Sequence, residues 1–497
     1  MKNVSNVFYI TVVLIIISVL LGAIFPTQAE QLTADLNAFL SRTFGWYYMW
    51  LMIGLISVSI IIAVGPYGKI RLGKHNDRPD FSNASWIAML FSAGLGIGLV
   101  FYGASEPLFH AFSDSPLSEP GTDQAYKEAF SHTFFHWGLH GWAMYGIVAL
   151  SLAFFQFRKD EPGLISSTLK PLFGDRMKGP FGTVIDVLAT FATIFGVATS
   201  LGLGAAQVNG GLNHLFGIEV SFTTQFIIII IVTVLFLTSA WSGLSKGIKW
   251  LSNTNMVLAI LLFLAVVIIG PTLLILNMFT ETFGLYLQNI VGMSFRMASL
   301  EGDNRAWLDA WTIFYWAWWI SWAPFVGMFI ARVSRGRTIR EFMIGVMVVP
   351  TLIIAIWFAT FGTTAGEVQR SGVDLTQYST EMVIFNMFDQ MPFSFFLSLI
   401  AVLLIITFFI TSADSATFVL GMQTTNGSLT PPTAVKLTWG LAQSAVATVL
   451  LYVGGLQALQ NTIIAAALPF SFVVMLMVIS LMKALNKELR LIKGKKS

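Results

Sequence analysis

The sequence predicts an all-α membrane protein of twelve transmembrane helices, and three observations carry that prediction. Of 497 residues, 56% are hydrophobic and 11% charged, at a mean hydropathy of +0.75, far outside the range of water-soluble domains. Twelve apolar runs are each long enough to cross ~30 Å of hydrocarbon as a helix. The basic residues are also partitioned. With both termini in the cytoplasm, the inside segments hold 23 Lys and Arg, and the outside ones hold only Arg42, Lys127, Arg296, Arg305 and Arg370. The opposite orientation would invert the positive-inside rule, so the prediction is a multi-pass plasma-membrane protein with cytoplasmic termini. The absence of cysteine excludes disulfides, thiolate metal ligands and a cysteine nucleophile.

In chain order, the spans fall at 7–26, 45–66, 85–110, 128–156, 183–211, 223–243, 249–277, 307–333, 340–363, 393–421, 434–454 and 458–483. The first run, Val7 to Phe25, is too long for a signal-peptide core and has only a weak cleavage candidate at Thr27-Gln-Ala29. It reads as a retained helix. Residues 280–300 are amphipathic and too polar to cross, which predicts a helix along the outer interface. The short tail from Lys483 to Ser497 carries six basic residues, a composition attracted to anionic lipid. Residues 1–84 thus hold two N-terminal spans, 85–277 five spans, 278–306 the interfacial connection, 307–483 five more, and 484–497 the tail.

Two spans five apart are interrupted in sequence: the third, at Gly94-Leu-Gly96-Ile-Gly98, and the eighth, which carries Ser321 and Pro324. Broken helices at corresponding positions of two halves point to a transporter site at the bilayer midplane. In the third span, Gly94 and Gly98 at i, i+4 fit a close helix-packing face. The three alternating glycines equally permit unwinding, which frees carbonyls for a cation.

Five of the fifteen tryptophans fall within twelve residues of the eighth span: Trp311, Trp316, Trp318, Trp319 and Trp322. On a helix, Trp311, Tyr315, Trp318 and Trp322 lie within about 60° of one another, with Trp319 about 40° further round and Trp316 beyond it. Indole faces carry negative potential, so such a wall holds a cation without an ionised partner, at roughly 0.5–2 kcal/mol per desolvated contact. A quaternary ammonium suits it best, because it has no N–H donors to leave unpaired. No acidic residue stands within the cluster, and Asp309 reads as a solvated charge at the helix start. In the fourth span, Trp137, Trp142 and Tyr145 read as packing residues when taken alone.

His132, His136 and His140 share a helix face, a spacing that raises a metal site. Further ligands are lacking nearby in sequence, so polar helix–helix contacts are the better reading. In the tenth span, Thr411, Ser412, Asp414 and Ser415 place four oxygen-bearing side chains in hydrocarbon, where polar groups are costly. They offer hard-oxygen ligands for an alkali cation; helix–helix hydrogen bonding and proton carriage by Asp414 are the alternatives.

The string WTIFYWAWWISWAPFVGMFIARVSRGRTIREF, with AGLGIGLVFYGASEP in the third span, resembles the betaine/choline/carnitine transporter family. The resemblance covers roughly residues 7–485. It implies a leucine-transporter-like core of two inverted five-helix repeats and a homotrimer contacting through the 280–300 helix. It also implies an aromatic box of Trp137, Trp142, Tyr145 and Trp319, with Trp316, Trp318 and Trp322 beside it or along the substrate path. Glycine at the place of Gly98, with Gly94 and Gly96 before it, favours a zwitterion, since choline carriers often have an acidic residue there. The resemblance further implies a sodium site at Thr411, Ser412 and Phe408 with the Ser92 and Leu95 carbonyls, and a second at Thr193 and Phe325. Val197 stands where a second threonine belongs, with Thr199 or Ser200 as substitutes. Spans five and ten carry no Arg or Lys to replace sodium with a fixed charge. The expectation is a sodium-coupled importer of glycine betaine serving osmoprotection, not an enzyme, with no cofactor beyond sodium and no nucleic-acid partner. A choline or carnitine carrier, including a proton-driven one, is the nearest alternative; a channel and a membrane metalloenzyme are more remote.

Overall fold

The computed structural model describes residues 4–94, 96–242 and 245–494, and within them the chain is helical, with one isolated bridge between Arg71 and Thr338 and no strand. In chain order the helices are α1 (Asn6–Ile24), α2 (Pro26–Val64), α3 (Asn83–Gly94), α4 (Ile97–Tyr102), α5 (Ser105–Phe112), α6 (Asp123–Trp137) and α7 (Leu139–Ala153). They continue with α8 (Pro180–Phe216), α9 (Phe222–Ser242), α10 (Ser245–Ile269), α11 (Thr272–Phe295) and α12 (Gly302–Val333). The last are α13 (Ile339–Arg370), α14 (Ser394–Gln423) and α15 (Thr433–Gly494).

Local sequence explains several boundaries. Thr338 caps α13 through a reciprocal pair, its hydroxyl accepting from Glu341 N–H while the Glu341 carboxylate accepts from Thr338 N–H. α8 starts at Pro180, where a missing N–H costs nothing, and stops at Gly217 with φ +68°.

Among the described residues, ten helices are long and apolar enough to cross a membrane, against twelve expected spans, and the two differences have visible causes. The third span is broken into α3, α4 and α5, as its glycines predict, so no piece reaches spanning length. The last two spans run on as α15, bent at Gly454 and Gly455; Gly455, at φ +58°, adopts a conformation that favours glycine.

Two sequence expectations are corrected. The seventh span ends at Ile269 instead of 277, because the Gly270-Pro271 pair removes an N–H and disfavours helix before it; α11 therefore starts at Thr272 and absorbs the predicted boundary at 277/278. The eighth span is not interrupted at Pro324. It stays helical through Ser321 and Pro324, and its irregularity is a π-helical turn at Asp309–Ile313. Packing on both sides holds the proline in place, since the Trp322 indole donates to the Gly196 carbonyl at 2.7 Å.

Burial separates a core from a rim. In the most apolar window of α12, 94% of residues are buried, as in the joined α6 and α7, whereas α1 and α10 each bury 22%. Rows such as Ile10, Val13, Ile17 and Leu20 on α1 face outward, as lipid contact requires. The protein is a multi-pass membrane protein whose buried core is built by α4 to α8 and α12 to α15.

Candidate functional site

Gly98 in α4 brings the site together. A Cβ there would stand 2.8 Å from Trp318 Cη2 and 2.9 Å from Trp137 Cη2, so only glycine lets these two indoles meet over the backbone. Gly141 in α7 does the same for Trp319, whose ring lies where a side chain would project. The resulting cavity, about 40 Å³, is lined by Gly96, Gly98, Trp137, Tyr145, Tyr315, Trp318, Trp319 and Trp322, with Ser200 from α8. It has room for roughly three waters, so admitting a larger ligand requires the rings to part.

Trp319 occupies the centre. Its ring lies 4.7 Å from Tyr145, 6.0 Å from Trp142 and 6.2 Å from Trp137, centroid to centroid. Its indole donates to the His136 carbonyl at 2.8 Å, beside the break at Gly138 that separates α6 from α7. Trp142 is fully buried behind Tyr145 and Trp319 and does not line the cavity. Trp316 faces away, stacked on His140 at 5.2 Å with its N–H toward Met49 Sδ at 3.1 Å. Trp311 stands nearer the solvent, its indole donating to Asp114 at 3.0 Å.

The expected sodium ligands fall on two interfaces. Gly96 opens the gap between α3 and α4 toward α14, where a Cβ on it would lie 4.0 Å from Ser412 Oγ. Thr411 donates to the Thr407 carbonyl at 2.9 Å and accepts from Asn255 Nδ2 at 2.9 Å; Phe408 is buried one turn earlier. Ser92 and Gly94 lie in the last turn of α3, and Leu95 lies outside the described residues. Thr193 and Phe325 flank the contact of α8 with α12: Trp322 packs against Gly196, and Phe325 meets the Trp322 ring edge-on at 5.5 Å. Thr193 donates to the Ala189 carbonyl, and Val197 is buried. Of its two suggested substitutes, Thr199 turns to the Phe195 and Leu459 carbonyls, whereas Ser200 reaches the cavity with a buried hydroxyl that has no partner.

Two residues escaped sequence reasoning. Asn255 on α10 holds Thr411 and leaves its own Oδ1 buried and unpaired, a free oxygen beside the hydroxyls of α14. Glu106 on α5 sits fully buried against the box, accepting from Trp137 Nε1 at 2.8 Å and the Tyr315 hydroxyl at 2.5 Å. The expectation that no acid stands by the aromatic cluster therefore fails in space, because Glu106 is distant in sequence from both tryptophan spans. The available signal was an acidic residue within an apolar run.

The three histidines of α6 and α7 do not converge. His132 Nδ1 pairs with the Glu128 carbonyl, His136 with Glu106 and Thr312, and His140 Nε2 with Ser294. Glu106, His110 and His136 do place three ligand atoms within 4.8 Å of one another, but their nitrogens and oxygens already face each other and their neighbours. Asp414 lies elsewhere, lining a cavity of about 520 Å³ with Met89, Arg332, Phe418 and Lys436.

A sequence model of betaine/carnitine/choline family transporters matches residues 6–490. The chain is 56% identical over 494 residues to the glycine betaine transporter OpuD of Bacillus subtilis, covering 99% of this chain and 96% of that one. It is 43% identical to a probable glycine betaine transporter of Desulfitobacterium hafniense, covering 98% of each. A solved structure of a Na⁺-coupled sialic acid symporter aligns over 88% of this chain and 87% of its own, at 15% identity and a TM-score of 0.48.

Proposed function

Because the chain belongs to the betaine/carnitine/choline transporter family, we propose that it imports glycine betaine together with sodium by alternating access. The family consists of transporters, and the chain is a transporter and not an enzyme. The observation that carries the substrate is the cavity of Trp137, Tyr145, Trp318 and Trp319 around Gly98. Four aromatic rings line it, with no side chain at Gly98 to oppose the carboxylate of a zwitterion. Two relatives named for glycine betaine transport support the same substrate.

Sodium coupling is supported by oxygen-rich α14. Ser412 lies opposite the gap between α3 and α4, with Thr411 beside it and Phe408 one turn earlier on α14, and a cation held there with the Ser92 and Leu95 carbonyls would steady the broken third span. Thr193 and Phe325 are proposed for a second ion. The trimethylammonium enters the box, two inverted five-helix repeats (85–269 and 307–483) rock about it, and the cavity beside Arg332, Asp414 and Lys436 provides the inward route. Each net charge moved inward gains ~2.3 kcal/mol per 100 mV, enough for steep accumulation of an osmoprotectant. Cytoplasmic termini, a homotrimer contacting through α11 and attraction of the tail to anionic lipid complete the proposal.

The test is uptake of labelled glycine betaine, choline and carnitine into proteoliposomes, with sodium and proton gradients imposed independently. Betaine accumulation driven by sodium alone is the expected result. Accumulation driven by protons, or choline taken up in preference, would overturn the coupling ion or the substrate.

A further inference from the structure

Glu106 is buried beside the box, yet nothing in the transport cycle above uses it. Three groups bond its carboxylate and a fourth faces it. Trp137 Nε1 and the Tyr315 hydroxyl donate to one oxygen, and His136 Nδ1 donates to the other at 2.8 Å, with His110 Nε2 facing that second oxygen at 3.4 Å. His110 Nδ1 accepts from the Trp307 indole, which puts the hydrogen of a neutral His110 on Nε2, toward Glu106; with the Thr312 hydroxyl donating to His136 Nε2, a neutral His136 likewise keeps its hydrogen on Nδ1 for Glu106. A carboxylate met only by donors is the ionised form, since an added proton would oppose an N–H or O–H. Neither lysine nor arginine is among its partners among the described residues, so with both imidazoles neutral the network carries a net negative charge.

That charge stands directly behind two rings that line the cavity. A ring donating its N–H or O–H to an anion is polarised toward its π face, and hydrogen bonds in low dielectric reinforce one another. Resting on the reading of this cavity as a quaternary-ammonium box, we propose that Glu106 sets its specificity: its charge, delivered through Trp137 and Tyr315, makes the box select a cation over a neutral group of the same shape. The substrate's own carboxylate is repelled less than the ammonium is attracted, because the ammonium lies nearer and the interaction falls with distance.

Glycine betaine and 3,3-dimethylbutyrate test this directly, because the second replaces the ammonium nitrogen by carbon and keeps the shape and the carboxylate. Binding is read by tryptophan fluorescence of the purified full-length protein in nanodiscs. Wild type is expected to prefer betaine by at least about tenfold. Glu106→Gln should bring the two ligands to within about twofold, by weakening betaine while 3,3-dimethylbutyrate binds as well as to wild type or better, because its carboxylate no longer faces a like charge, and Glu106→Asp should keep the preference. If Glu106→Gln does not fold, Glu106→Gln with Trp137→Phe, which removes an N–H the amide cannot accept, is compared with Trp137→Phe alone.

Retention of the preference in the neutral variant overturns the proposal, as does equal weakening of both ligands, which is what a scaffold role gives. A wild type that binds both ligands equally also overturns it. A wild type that binds no betaine overturns the transport reading and this proposal with it, a failure seen before any substitution is made.

Discussion

The Trp319 indole reaches across the break at Gly138 and donates its N–H to the His136 carbonyl at 2.8 Å. This bond ties α12 to α6 and fixes the ring that Trp137, Trp142 and Tyr145 surround. Trp319→Ala removes the central face and is expected to raise the betaine concentration for half-maximal uptake by about tenfold, with protein abundance little changed. Trp319→Phe keeps a face but loses the bond, so its defect should be intermediate. Uptake curves for the two variants check the order, and an unchanged half-saturation in Trp319→Ala removes the residue from the box.

Gly98 predicts a steric effect. A single methyl there would meet Trp318 at 2.8 Å and Trp137 at 2.9 Å, so both indoles would have to shift to admit it. Gly98→Ala is therefore expected to lower betaine affinity about tenfold or more while the protein still reaches the membrane. Binding measured by tryptophan fluorescence decides it. Affinity equal to wild type would show that the rings yield easily.

Trp316 and Trp318 are two residues apart and separate cleanly in space. Trp318 lines the cavity, whereas Trp316 stacks on His140 and points its N–H at Met49. Trp318→Phe should change half-saturation several-fold, and Trp316→Phe should leave it within about twofold, its cost appearing as lower thermal stability. The contrast is measured by uptake and melting of the same preparations. A larger affinity defect in Trp316→Phe would reverse the assignment.

These three predictions mark what the sequence could reveal. The density of tryptophans in one span pointed to the stretch that lines the aromatic cavity, because indole is large and polar at one edge and is seldom massed in a span for packing alone. The helical wheel, however, put Trp319 outside the wall formed by Trp311, Tyr315, Trp318 and Trp322, yet Trp319 is the central ring. A wheel treats a helix as having one inner face, while α12 is 94% buried and meets α7 and α8 on different sides. Glu106 was invisible for a related reason. Its hydrogen-bond partners come from α6 and α12, and within α5 only His110, one turn on, faces it. The break of the third span was legible because glycine announces it, whereas the run through Pro324 depends on the packing of Trp322 against Gly196.

The coupling site gives the last prediction. Thr411 and Ser412 are successive residues of α14, so their side chains point about 100° apart on the helix. Ser412 looks toward Gly96, and Thr411 is held from the other side by Asn255. If both supply oxygens to one sodium ion, Thr411→Ala with Ser412→Ala removes two ligands and should raise the sodium concentration for half-maximal uptake at least about tenfold, leaving betaine affinity at saturating sodium nearly unchanged. Asn255→Ala frees the Thr411 hydroxyl from its donor and removes an unpaired buried oxygen, so a smaller shift of the same sign is expected. Sodium titrations of betaine uptake in proteoliposomes separate the two effects. A sodium response in the double variant identical to wild type would move the coupling ion away from α14 and leave the Thr193 and Phe325 interface to carry it.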